Sequence, residues 1–83
     1  MASRNIIGER VRLARSKTIP QTTQQDLAAR LQIQGLRIDR AAISKIETGY
    51  REVTDVEVAA LARTLGVSVT WLFGEAESQQ CKH

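Results

Sequence analysis

Aromatic side chains are nearly missing from this sequence: Phe, Tyr and Trp occur once each in 83 residues, and proline occurs once. The core therefore has to be built from aliphatic residues and alanine, which favours closely packed helices. No run alternates apolar and polar residues long enough to make a strand. No apolar run approaches the roughly 18 residues of a membrane span, and the N-terminus lacks the apolar segment of a signal peptide. A single cysteine, Cys81, leaves no intrachain disulfide, so a reducing compartment and a cytoplasmic location are expected. Histidine also occurs once, so no Ser-His-Asp or Cys-His arrangement held in a core is available. Cys81 and His83 make two ligands in a polar tail, too few for a metal site. No Gly-rich phosphate loop is present, and the acids are scattered or placed as helix caps. The sequence points away from an enzyme and calls for no cofactor and no metal.

What is present is charge, unevenly distributed. Residues 1–51 carry ten Lys or Arg against four acids, a balance of +6, while residues 52–83 carry two against five, a balance of −3. Such a division suits a first part that meets a polyanion, although a solvated charged face has the same composition. The length allows one small domain, read as residues 1–74, followed by a flexible polar tail, 75–83.

The stretch from Asp39 to Gly49 carries the strongest local signal. Asp39 can cap a helix at its start and Gly49 can end it. Ile43 and Ile46 share one face, leaving Arg40, Ala41, Ser44 and Lys45 largely on the other. A helix that offers small and cationic side chains outward on a thin apolar anchor suits the major groove of DNA, and equally an ordinary amphipathic surface. Around it, Ile7, Val11 and Ala14 predict a first helix over about 5–17, and residues 18–22, with Pro20, read as a loop. Thr23 and Asp26 resemble a capping box for a second helix that carries Leu27, Ala28 and Leu31 to about Gln34, before Gly35. Leu36-Arg37-Ile38 bridges to Asp39. Thr54 and Glu57 form a full capping box for a fourth helix along Val58, Leu61, Ala62 and Leu65, closed by Gly66. Ser68 caps a short fifth helix through Phe73 that stops at Gly74.

Four blocks in this order, Ile7-Gly8-Glu9-Arg10-Val11-Arg12 with Arg15, Gln24-Gln25-Asp26-Leu27-Ala28, Ile43 to Gly49, and Ala62 to Leu72, resemble the lambda-repressor-like, Cro/CI (XRE) helix-turn-helix domains. The resemblance covers nearly all of residues 6–74. It implies an all-α, five-helix DNA-binding domain whose second and third helices form the reading unit, with the third in the major groove. By position, Gln24 is then expected at a phosphate, Arg40, Ala41, Ser44 and Lys45 face the groove, and Thr48 and the Gly49 backbone lie near a flanking phosphate. Arg15 and Glu47 match a family pair that forms a buried or half-buried salt bridge. The spacing departs from the family pattern in one respect: Leu27 to Ile43 is longer by about one helical turn, giving a lengthened turn, and the loop before Gln24 is longer too.

Read chemically, Arg40 can meet guanine O6 and N7 with two parallel hydrogen bonds, and Lys45 can do similar work one turn on. The Ala41 methyl can touch a thymine methyl, while Gln24 and Thr48 can donate to phosphate oxygens. Arg10, Arg12, Lys17, Arg37 and Arg51 add diffuse attraction, with Arg51 counted among the DNA-binding residues. Trp71, Leu72 and Phe73 are core candidates whose uncovered remainder would suit a homodimer near helices four and five, reading half-sites about 34 Å apart. The expected function is sequence-specific binding of double-stranded DNA at a palindromic operator, as a small transcriptional repressor. An antitoxin-like module with a protein partner and secondary DNA binding is the alternative, and a nonspecific nucleic-acid binder a third reading.

Overall fold

The first N–H groups of a helix need acceptors from outside it, and the side chains that supply them set out this fold. The computed structural model describes residues 4–74; the tail expected at 75–83 lies outside the described residues. The five helices are α1 (Gly8–Lys17), α2 (Gln24–Ile33), α3 (Arg40–Thr48), α4 (Asp55–Leu65) and α5 (Val69–Leu72). Thr23 and Thr54 cap α2 and α4 in reciprocal capping boxes with Asp26 and Glu57, and Asp39 and Ser68 cap α3 and α5 through a side-chain oxygen. The chain is all-helical, with no strand among the described residues.

The start of α1 differs from the expected Asn5. Asn5 Oδ1 accepts the N–H groups of Ile7 at 3.0 Å and Gly8 at 2.8 Å, an Asx turn that holds the chain out of helix until Gly8. Its Nδ2 donates to the carbonyls of Ile46 at 3.1 Å and Arg51 at 2.8 Å, tying the entry to α1 to the end of α3 and the turn beyond it.

Each helix then turns one apolar stripe inward. Ile7, Val11 and Ala14 meet Leu27, Ala28 and Leu31 of α2, Ile43 of α3, Val58, Leu61, Ala62 and Leu65 of α4, and Leu72 of α5 in one cluster. Both α1 and α2 pack on α3 and α4, and α5 lies against α4 and α1. Of the three neighbours offered as core candidates, only Leu72 is fully buried. Trp71 is half-buried with the Arg10 guanidinium 4.6 Å from its ring centroid, and Phe73 is 38% exposed. Trp71 thus serves as a platform for a cation as well as a packing surface.

The lengthened turn between α2 and α3, residues 34–39, is packed. Ile38 is buried, Leu36 rests against the core, and Gln32 Nε2 donates to the Ile38 carbonyl at 2.9 Å. Gln34 reaches α4, donating to Thr64 Oγ1 at 2.6 Å and accepting from Arg63 Nη2 at 3.0 Å. The loop before α2 is held from inside: buried Thr22 donates its N–H to Thr18 Oγ1 at 2.7 Å, and its carbonyl accepts from Arg15 Nη1 at 3.1 Å.

Where α1 crosses the end of α3 there is no room for a side chain. A Cβ on Gly8 would collide with the Ile46 carbonyl oxygen and stand 3.0 Å from that of Glu47. Two turns along α1, Arg15 Nε and Nη2 hold the Glu47 carboxylate at 2.8 and 3.0 Å, with side chains 13% and 3% exposed.

Two outcomes follow. At an open helical position Gly→Ala stabilises by roughly 0.5–1 kcal/mol, but Gly8→Ala is expected to lower the urea midpoint, because overpacking against backbone costs about 1–3 kcal/mol. Glu47→Ala strands the Arg15 guanidinium, a loss of about 3–5 kcal/mol for a buried pair. At roughly 4–8 °C per kcal/mol, the melting temperature should fall by more than about 10 °C; an unchanged melt would show that the pair contributes nothing.

Candidate nucleic-acid interface

Asp39 Oδ1 accepts the Ala42 N–H at 2.8 Å and fixes where α3 begins. Gly49, at φ 84°, takes the left-handed conformation that ends it, and the Tyr50 N–H returns to the Lys45 carbonyl at 2.9 Å. Between these ends Ile43 and Ile46 are fully buried, while Arg40, Ala41, Lys45 and Thr48 are exposed and Ser44 is half-buried. One ridge of the helix is therefore anchored and the opposite one stands in solvent.

An open trough of about 660 Å³ runs along one flank of this ridge, lined by Ala41 and Lys45 of α3, by Arg4, and by Tyr50 and Arg51 of the turn that follows. Asp39, Glu52 and Glu57 line it as well, so its charge is mixed. A second depression, about 460 Å³, lies on the other flank, where Gln24, Ser44 and Thr48 meet Glu9, Arg12 and the Arg15–Glu47 pair. Of the residues picked out from sequence, Ala41, Lys45 and Arg51 thus come together on one side, and Gln24, Ser44 and Thr48 on the other. Arg40 stands at the N-terminal end of the ridge and lines neither.

Three of these side chains have partners that sequence reasoning missed. Gln24 Nε2 donates to Glu47 Oε1 at 3.0 Å, which joins α2 to the α1–α3 ion pair. Thr48 Oγ1 donates back to the Ser44 carbonyl at 3.0 Å. Arg51 closes a two-point pair on Glu57, Nη1 to Oε1 at 2.9 Å and Nη2 to Oε2 at 3.0 Å, with Nη1 also donating to the Glu52 carbonyl at 2.9 Å. A phosphate contact by Arg51 therefore competes with a carboxylate already in place. Arg51's hydrogen bonds hold the Glu57 carboxyl below its ordinary range, with the Thr54 N–H adding to the effect, and Glu57 in turn raises the guanidinium. The signal for Glu57 was present in the sequence as a capping residue; its second role was not, because a cap is local and the pair spans a turn.

Glu57, with a depressed folded value, contributes stability that is complete above the unfolded carboxylate range and lost as pH falls through the folded value. The stability gap between the unaltered chain and Glu57→Gln should hold from neutral pH to about 5, shrink once pH enters the ordinary carboxylate range at about 4.3, and close only as pH falls through the lower folded value; acid titrations followed by circular dichroism would read it.

Among the described residues no cluster of His, Cys, Asp and Glu could hold a metal ion, and no helix is long and apolar enough to cross a membrane. Comparison with curated proteins and with solved structures gives no match. A family model described as Helix-turn-helix matches residues 21–72, from the loop before α2 to the end of α5. By that match over more than half its length, joined to an all-helical fold with an exposed, cationic α3, the chain belongs to the helix-turn-helix family of the Cro/CI/XRE type, whose members are double-stranded DNA-binding regulators.

Proposed function

We propose that this chain is a sequence-specific transcriptional repressor that works in the cytoplasm, binding a palindromic operator as a homodimer and occluding a promoter. The observation that carries the reading is the outer ridge of α3, where Arg40, Ala41, Ser44 and Lys45 ride on the buried Ile43 and Ile46. Arg40 and Lys45 supply donors for guanine O6 and N7, and Ala41 a methyl for thymine. On the flanks, the Gln24 amide carries two N–H donors, one of them on Glu47 and the second for a phosphate. Thr48 reaches a phosphate when its hydroxyl proton swings away from the Ser44 carbonyl, and Arg51 when it leaves Glu57. These contacts set register without reading sequence.

Dimerisation follows from reach. Nine residues of α3 extend about 13 Å, the length of roughly four base pairs, too few to define a site alone. Val56, Val69 and Phe73 in and beside α4 and α5 are exposed, which supports that region as the surface joining two copies.

Selection from random duplex DNA at near-physiological salt is the direct test. A palindrome with half-sites about 34 Å apart is expected, and Arg40→Ala and Lys45→Ala should each relax a defined base pair and weaken binding by about 1–3 kcal/mol. A motif without symmetry would remove the dimer, and recovery of no motif would remove the sequence-specific reading and turn the search to a protein partner.

A further inference from the structure

We propose that Glu57 is a resident competitor for the DNA backbone: it holds the Arg51 guanidinium that a phosphate would otherwise take, and so keeps the affinity of the reading face below what its cations would give. The proposal rests on the DNA-binding reading of α3. Arg51 lines the same trough as Lys45 and Arg4, beside the ridge that is offered to the groove. Its two terminal nitrogens are closed on both oxygens of Glu57, at 2.9 and 3.0 Å.

The pair is partly exposed, the Arg51 side chain at 30% and Glu57 at 12%, so a phosphate can reach the guanidinium without opening the core. A partly solvated ion pair is only weakly favourable, and a backbone phosphodiester offers Arg the same two-point geometry with the same single charge. The exchange is therefore close to balanced, the regime in which removing one competitor changes the outcome. Glu57 does not swing away when Arg51 leaves. Its Oε1 also accepts the Thr54 N–H at 3.0 Å and its own N–H is held by Thr54 Oγ1 at 3.2 Å, so the carboxylate stays beside any phosphate that arrives and repels it.

Glu57→Gln in the full chain separates the two roles of this residue. Glutamine keeps an acceptor for the Thr54 N–H, and the T-x-x-Q pattern is still a capping box, so α4 keeps its start; what is lost is the charge facing Arg51. Binding to a mixed-sequence duplex is measured between roughly 50 and 200 mM salt. The expected result is tighter binding by several-fold and a plot of log affinity against log salt steeper by up to about 0.9, the value for one further phosphate fully engaged. In an Arg51→Ala background both changes should vanish. Unchanged or weaker binding by Glu57→Gln overturns the proposal, as does a gain that persists without Arg51, which would be a general charge effect. Should Glu57→Gln melt markedly lower, the titrations are repeated well below its melting midpoint, where the folded chain predominates, and an unchanged slope there counts against the proposal. Failure of the unaltered chain to bind any duplex would overturn the DNA-binding reading and this proposal together, a result distinct from binding that ignores the substitution.

Discussion

One carboxylate fixes the attitude of α3. Glu47, in the last turn of α3, accepts Arg15 from α1 and Gln24 from α2, so three helices converge on a single group that is almost out of water. An ionised carboxylate in that position without partners would be several kcal/mol unfavourable. Its donors are in effect conditions on where α1 and α2 must lie. Gly8 meets the same constraint from the backbone side, letting α1 pass close enough over the Ile46 and Glu47 carbonyls for Arg15 to arrive two turns later. Asn5 closes the arrangement by bonding the Ile46 carbonyl and the turn after α3. The end of α3 is thus held by polar contacts at three points and its inner side by Ile43 and Ile46, and its outward ridge follows from both.

How much of this the sequence discloses depends on how far apart in the chain the cause and its effect lie. The starts of α2, α3, α4 and α5 were legible because Thr23, Asp39, Thr54 and Ser68 act on N–H groups two or three residues away. The outer ridge of α3 was legible for the same reason, since Ile43 and Ile46 announce the side that faces away from it. Asn5 is the exception to that rule: the Asx turn that keeps it out of α1 acts only two and three residues away, on Ile7 and Gly8, and what distance hides is its second pair of bonds, to the Ile46 and Arg51 carbonyls more than forty residues on. The extra residues of the 34–39 turn could be counted in advance but not placed. Their position rests on Ile38 entering the core and on Gln34 finding Thr64 and Arg63, both contacts with elements read separately. Gln24 and Arg51 looked like free phosphate donors for a similar reason: each has a carboxylate partner brought to it only by folding.

The two paired arginines show how one side chain serves two ends. Arg15 uses its side-on edge, Nε with Nη2, against a carboxylate that is nearly sealed, and its remaining nitrogen on the Thr22 carbonyl; it is committed to structure. Arg51 uses its end-on edge, Nη1 with Nη2, against a carboxylate that keeps 12% of its surface in water, in the trough that Lys45 also lines. Burial separates the roles. Removing water from a pair makes it expensive to break, while leaving water around it makes exchange with another anion cheap.

That distinction also reframes the uneven charge of the chain. Counted along the sequence, the basic part ends at Arg51 and the acidic part begins at Glu52, as if one segment attracted a polyanion and the other stood aside. In three dimensions the boundary folds on itself: Glu52 and Glu57 line the same trough as Arg4, Lys45 and Arg51. Net charge governs long-range attraction, which is screened within about 10 Å at 0.1 M salt. At contact distance the local pairing governs instead, and there the acids of the second segment oppose the bases of the first. A face built this way attracts a polyanion at long range by the sum of its charge, while at contact distance its bases on one flank stand beside acids; along the ridge of α3 no acid intervenes between Ala41 and Lys45.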